Sequence, residues 1–111
     1  PGLKNHPQHN LAKKQHLDPE GNYGFGGMIS LKLDNLELAK KFVKGLEIFR
    51  LAESLGGVES LICHPATMTH ASIPEDLRDK MGITPGLLRL SVGIEDINDL
   101  KNDITDALCS L

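Results

Sequence analysis

The sequence predicts an α+β domain with a small, mostly antiparallel sheet and helices on one side. Amphipathic helical segments alternate with short apolar strands, and the connections between them are short. The 111 residues suffice for one domain with a modest core, and 40% apolar with 24% charged residues is ordinary for a globular protein. We therefore interpret residues 1–111 as a single domain.

The first half of the chain predicts a helix, a strand and a second helix. Residues 6–16 are expected to be helical, and the glycine-rich segment 17–27 is expected to be a loop. Apolar and polar side chains alternate over residues 28–33, which is typical of a half-buried strand. The Asp34-Asn35 pair then caps a helix that breaks at Gly45. Its apolar side chains recur at helical spacing: Leu36, Ala39, Val43 and Leu46.

Three more strands follow in the second half of the chain. Short strands are expected at residues 48–51 and 60–63, and Pro65 ends the second of them. A longer strand is expected over residues 87–93, after the turn formed by residues 84–86.

Two helices complete the prediction. Pro74 suits the first turn of a helix that runs to about Met81, and Gly82 stops it. Glu95 and Asp96 open the last helix, where negative charge suits the positive end of the helix dipole. Its expected buried face consists of Ile97, Leu100, Ile104 and Leu108.

The composition and the lack of targeting signals argue against a nucleic-acid-binding, membrane-spanning or secreted protein. The net charge of −3 gives no support for nucleic-acid binding, and no apolar run approaches the roughly 18 residues of a membrane helix. No secretory signal is present, so we expect a cytoplasmic protein with Cys63 and Cys109 as free thiols.

Because the chain starts at Pro1 rather than Met, we expect it to be a piece of a longer protein. His6 and His9 lack partners at a recognised ligand spacing, so we expect no metal site.

Arg89 is the first candidate for chemistry. In the strand over residues 87–93, it shares a face with Leu87 and Ser91 and is surrounded by apolar neighbours. Arginine is seldom buried unless it is paired, and its planar fork binds a carboxylate through two parallel hydrogen bonds. The pattern therefore indicates either an anion site or a structural ion pair with a nearby acid.

The segment Glu53-Ser54-Leu55-Gly56-Gly57 is the second candidate. Consecutive glycines let the backbone approach a ligand closely, and successive backbone N–H groups can hold an anion. A plain turn between two strands explains the same residues equally well.

These blocks together resemble one enzyme family over nearly the whole chain. The motifs, in order, are Pro1-Gly2-Leu3 with His6-Pro7-Gln8-His9, Gly26-Gly27-Met28-Ile29-Ser30, Glu53-Ser54-Leu55-Gly56-Gly57, Met68-Thr69-His70 and Leu88 to Asp96. The chain resembles the C-terminal domain of the pyridoxal-phosphate enzymes of Cys/Met metabolism. This family includes cystathionine γ-synthase, cystathionine γ-lyase, cystathionine β-lyase and methionine γ-lyase.

The resemblance implies roles for four residues. Arg89 would bind the substrate α-carboxylate, Ser54 would add a backbone contact to the same group, and Thr69 would lie near the arginine. Glu53 would meet the distal ammonium of a long substrate, as in γ-synthases and γ-lyases and in some bacterial β-lyases. The segment from His16 to Tyr23 is longer than the family's usual loop, which leaves that loop outside the resemblance.

The resemblance also implies what this chain lacks. Pyridoxal 5′-phosphate and its Schiff-base lysine would belong to an N-terminal domain, so we expect no catalytic residue here and no activity from these residues alone. The parent enzyme would act on sulfur amino acids in transsulfuration and would be a homotetramer. The alternatives are a cystathionine β-lyase or methionine γ-lyase parent, or a non-catalytic binding or assembly module.

Overall fold

The computed structural model describes all 111 residues as four helices and one four-stranded sheet. In chain order the elements are α1 (His9–Gln15), β1 (Met28–Lys32), α2 (Leu36–Gly45), β2 (Arg50–Leu51), β3 (Leu61–Cys63), α3 (Glu75–Lys80), β4 (Leu87–Ser91) and α4 (Ile97–Cys109). Each of the eight predicted elements is present. The largest difference in a boundary is at α1, which begins at His9 rather than at residue 6 because residues 3–8 form turns.

The sheet has the order β1-β4-β3-β2. Strand β4 is antiparallel to both of its neighbours, whereas β2 runs parallel to β3. The α+β prediction is confirmed, and the sheet is mixed. Because β2 and β3 point the same way, the segment 52–60 must cross back from the end of one strand to the start of the next.

The hydrophobic core lies between one face of the sheet and the helix pair α2 and α4. Strands β3 and β4 present Ile62, Leu88 and Leu90 to this layer, and all three are buried. The helices supply Ala39, Phe42, Leu100 and Ala107, and Phe49, just before β2, completes the core. Helices therefore cover this face, and we call the opposite one, which carries Arg89, the second face.

Gly45 ends α2 as predicted, and its smallness also matters for packing. A Cβ atom at this position would lie 3.3 Å from both Cα and Cβ of Ala107 on α4. Two small residues therefore let α2 and α4 approach closely where they cross.

The predicted buried face of α4 is partly wrong. Leu100 is buried, but Ile97 and Leu108 are 56% and 40% exposed. Asp103 is buried in their place, and its carboxylate accepts N–H groups from Glu47, Ile48 and Phe49 at 2.6, 3.0 and 3.1 Å. These hydrogen bonds satisfy the backbone between α2 and β2, and they turn the polar Asp103 toward the core.

No helix of this fold combines the length and the apolar character that crossing a bilayer requires.

Candidate functional site

Arg89 lies in the middle of β4, one of the two interior strands of the sheet. Antiparallel pairing places it opposite Ser30 of β1 and Cys63 of β3, so the three side chains share the second face. Its neighbours Leu88 and Leu90 point into the core instead. The predicted alternation of β4 is therefore confirmed, with Arg89 half-buried.

The guanidinium of Arg89 contacts the backbone of the crossing segment. Its Nη2 donates to the carbonyl of Glu53 at 2.8 Å and, more weakly, to the carbonyl of Ser54 at 3.4 Å. No acidic side chain lies within 4.0 Å of it, so the structural ion pair is wrong as an explanation. Its Nε is buried and has no hydrogen-bond partner. The arginine thus keeps unused donors after it has anchored the loop.

A second strand side chain holds the same loop. Ser91, two residues after Arg89 on the same face, accepts the N–H of Gly56 at 2.8 Å. Gly56 has φ of +74°, a conformation that favours glycine. The N–H of Gly56 is therefore used within the fold, whereas the N–H of Ser54 donates to no group of this chain.

The far end of the crossing segment is tied to the residues just after β4. The Glu95 carboxylate accepts both the N–H and the hydroxyl of Ser60 at 2.7 Å, and the Ser60 hydroxyl accepts the N–H of Gly93 at 2.9 Å. The Ser60 N–H, and then its hydroxyl, hold the pKa of Glu95 below its usual value of 4.5. The Ile94 N–H also donates to the carbonyl of Val58 at 3.0 Å.

Thr69 is next to this arrangement rather than in contact with Arg89. Its hydroxyl lies 3.9 Å from the Sγ of Cys63, the residue that pairs with Arg89 across the strands. The same hydroxyl is 2.7 Å from Nδ1 of His70. Thr69 therefore borders the site through Cys63.

Three other histidines, His6, His9 and His64, have structural partners. The ring nitrogens of buried His64 lie 2.7 Å from the Thr67 hydroxyl and 2.7 Å from the carbonyl of Pro85, so this side chain joins two loops. His6 accepts the N–H of Gln8, and His9 contacts the carbonyl of Pro1. No group of three His, Cys, Asp or Glu side chains has an arrangement that could hold a metal ion.

An open cleft borders the site on the β1 side. It has a volume of about 520 Å³, and its lining includes Ser30, Met28, Phe25 and His6. Ser30 is the residue that pairs with Arg89. Ile29, which pairs with the core residue Leu90, lines the cleft as well, so the cleft runs along the exposed edge of β1.

Comparison with known proteins assigns almost the whole chain to one family. A family model described as "Cys/Met metabolism PLP-dependent enzyme" matches residues 1–109. This chain belongs to that family. The predicted resemblance is thereby confirmed.

Relatives in the Cys/Met-metabolism family match almost all of this chain. A cystathionine β-lyase from Coxiella burnetii is 59% identical over 109 residues, and a cystathionine γ-lyase from Bacillus subtilis is 55% identical over 108 residues. Each match covers 97% of this chain but 27% of the relative. The chain thus spans about a quarter of the length of these relatives.

The fold is shared with solved members of the family. A crystal structure of cystathionine γ-synthase from Xanthomonas oryzae pv. oryzae in complex with cystathionine aligns with a TM-score of 0.82 and 49% identity. The alignment covers 99% of this chain and 28% of that one.

The structure brings together three of the four predicted site residues. Arg89 contacts the backbone of Glu53 and Ser54, whereas Thr69 is separated from Arg89 by Cys63. Sequence reasoning missed Ser60, Ser91 and Glu95 as supports of the loop. A signal was present, because Arg89, Ser91, Gly93 and Glu95 occupy alternate positions and extend the polar face of the strand past its end.

The side chains directly next to Arg89 do not supply the amine that pyridoxal phosphate needs. They are the hydroxyl and thiol groups of Ser30, Ser91 and Cys63, and none of them is hydrogen-bonded to a lysine. Forming a Schiff base requires such an amine. The donors present here suit a carboxylate rather than an aldehyde.

Proposed function

We propose that this chain is the substrate-carboxylate domain of a transsulfuration enzyme of its family, a cystathionine γ-synthase or γ-lyase. The single observation that carries the proposal is the state of Arg89. Its guanidinium has no acidic partner, and its buried Nε has no acceptor. A buried donor without a partner is costly, and an incoming carboxylate removes that cost by accepting its hydrogen bond.

In this proposal Arg89 orients a sulfur amino acid by its α-carboxylate. Two carboxylate oxygens match the guanidinium fork, and the free N–H of Ser54 adds a third donor beside it. The hydrogen bonds to the Glu53 and Ser54 carbonyls already fix the guanidinium, so little side-chain freedom is lost on binding. Thr69 borders this position through Cys63.

Pyridoxal phosphate, held by another domain, supplies the electron sink that the reaction of a bound amino acid requires. The role of the present residues is to hold the carboxylate, so that the substrate presents one orientation to that cofactor. We include in the proposal an N-terminal cofactor domain, assembly into a homotetramer and a cytoplasmic location.

Glu53 gives the proposal its substrate class. Its side chain is exposed and forms no ion pair, while its carbonyl is fixed by Arg89. A carboxylate in this place suits a substrate with a second, distal ammonium, such as cystathionine. The similar γ-synthase of Xanthomonas was crystallised with cystathionine.

A cystathionine β-lyase is the second candidate. The relative from Coxiella burnetii is named a β-lyase and shares 59% identity, compared with 55% for the γ-lyase of Bacillus subtilis. A β-lyase would use Arg89 in the same way, because it binds the same α-carboxylate. The products formed from cystathionine distinguish the two, since γ-elimination yields cysteine and β-elimination yields homocysteine.

The test of carboxylate binding is the substitution Arg89→Lys in the complete enzyme that contains this chain. A lysine keeps the charge but loses the fork, and we expect KM to rise about thirtyfold, equivalent to about 2 kcal/mol. Arg50→Lys is the matched control, because the side chain of Arg50 is exposed and forms neither a hydrogen bond nor an ion pair. An unchanged KM for Arg89→Lys would overturn the proposal.

A further inference from the structure

Residues 53–60 of the crossing segment are anchored to the β4 side of the fold at two separate places. At its start, Arg89 and Ser91 hold the carbonyl of Glu53 and the N–H of Gly56. At its end, a network formed by Glu95, Ser60 and Gly93 holds the backbone. Most residues between the two anchors are exposed, so these contacts largely determine where the segment lies.

We propose that Glu95 is a positioning residue for substrate binding, acting through Ser60 to fix the 53–60 segment against the end of β4. This inference rests on the proposed function, because it assigns Glu95 a role in placing Ser54 and Glu53 beside Arg89. No substrate atom needs to touch Glu95. Its task is to set the position of the backbone that the substrate meets.

Both carboxylate oxygens of Glu95 are used to hold Ser60. Each carboxylate oxygen accepts one hydrogen bond from Ser60, one from the N–H and one from the hydroxyl, both at 2.7 Å. Ser60 is fully buried, and its hydroxyl in turn accepts the N–H of Gly93. Polar networks whose members are all hydrogen-bonded rigidify the structure that they hold.

Gly93 supplies an independent observation. A Cβ atom at this position would collide with the carbonyl oxygen of Val58 and lie 2.6 Å from the Oε2 of Glu95. Only glycine therefore lets the segment and the carboxylate lie this close to the chain after β4.

Glu95 does not serve as the cap of the following helix. Asp96 does so, and its side chain accepts the N–H groups of Asn98 and Asp99. The two adjacent acids therefore have separate structural tasks, and Asp96 offers a matched control. Removing Asp96 weakens the helix without touching the 53–60 segment.

The experiment compares Glu95→Ala, Ser60→Ala and the control Asp96→Ala in the complete enzyme, with L-cystathionine as the substrate. A displacement of about 1 Å in a positioning group can cost about a hundredfold in rate. We expect Glu95→Ala and Ser60→Ala each to raise KM about tenfold, with kcat changed less than KM. The double variant is expected to be no worse than the more severe single one, because both act through one network. Asp96→Ala is expected to lower the melting temperature and to leave KM unchanged.

The outcomes separate this inference from the proposed function. If Arg89→Lys raises KM but both Glu95→Ala and Ser60→Ala leave it unchanged, Glu95 is not a positioning residue and carboxylate binding stands. Additive effects of Glu95→Ala and Ser60→Ala would also overturn the inference. If Glu95→Ala does not fold, the KM of Ser60→Ala alone tests the inference. This variant removes a single hydroxyl and is therefore the milder change. The proposed function fails only if Arg89→Lys leaves KM unchanged.

Discussion

The Nη2 of Arg89 donates a hydrogen bond of 2.8 Å to the backbone carbonyl of Glu53. A rigid strand thus supports an exposed loop, and the arginine is ordered before any ligand arrives. One nitrogen of the guanidinium anchors the loop, and the buried Nε has no partner within this chain. Such prior ordering reduces the entropy that binding would otherwise cost.

The first prediction concerns the distal end of the substrate. In the complete enzyme, Glu53→Val is expected to lower kcat/KM for cystathionine about fivefold, because it removes about 1 kcal/mol of charge attraction at an exposed site. Methionine, which lacks a distal ammonium, is expected to be used as well as before or better. Glu59→Val is the control, since Glu59 is an exposed acid of the same segment. An undiminished use of cystathionine by Glu53→Val would show that Glu53 does not read the ammonium.

The second prediction concerns the anchor at the start of the loop. Ser91→Ala leaves the N–H of Gly56 without its acceptor and is expected to lower the free energy of unfolding by about 1 kcal/mol. Amide hydrogen exchange at Gly56 is expected to become faster. Ser30→Ala, an exposed serine on the same sheet face, is expected to change neither quantity. Unaltered exchange at Gly56 in Ser91→Ala would contradict the anchoring role.

Much of the fold could be predicted from the sequence because it depends on local patterns. The strand at β1, the alternation over β4 and the caps of α2 and α4 are short-range signals, and the structure confirms them. The half-buried alternation predicted for β1 is wrong in part, because Ile29 is 49% exposed and only Leu31 of this strand is partly buried. The parallel pairing of β2 with β3 could not be predicted, because strands of two and three residues carry no signal for direction.

The site was predictable only in part, for a similar reason. Arg89 stood out as a charge in an apolar strand, and Glu53 and Ser54 followed from the resemblance. The contacts of Glu95 with Ser60 join residues 35 positions apart, and no local pattern indicates which polar groups meet over such a separation. Asp103 was missed on α4 because an acid among apolar residues is usually a solvated one.

The third prediction tests Asp103. Asp103→Asn keeps the size of the side chain but replaces one acceptor oxygen with a donor, beside N–H groups that need acceptors. We expect the free energy of unfolding to fall by about 3 kcal/mol, as measured by urea unfolding. Asp106→Asn, an exposed acid one turn further along α4, is expected to change it by less than about 0.5 kcal/mol. Equal stabilities of the two variants would show that the Asp103 carboxylate does not hold the turn before β2.

The fourth prediction is a pH dependence that belongs to Glu95. Its hydrogen bonds to Ser60 lower its pKa in the folded state, so the folded chain binds this proton less readily than the unfolded chain does. The stability that Glu95 contributes is therefore complete above its usual pKa of 4.5 and is lost as the pH falls through the lower folded value. The pKa of Asp18 is also lowered, first by the hydrogen bond from the Asn22 side chain and then by the one from the Asn22 backbone N–H. The pH dependence that Asp18 contributes must therefore be measured separately. At about pH 6, we expect the midpoint of urea unfolding to be higher for wild type than for Glu95→Gln. The difference between the two midpoints is expected to shrink toward about pH 3. Asp18→Asn serves as the reference for an acid remote from the site. A gap between wild type and Glu95→Gln that stays constant over this range would mean that the carboxylate of Glu95 is not held by Ser60.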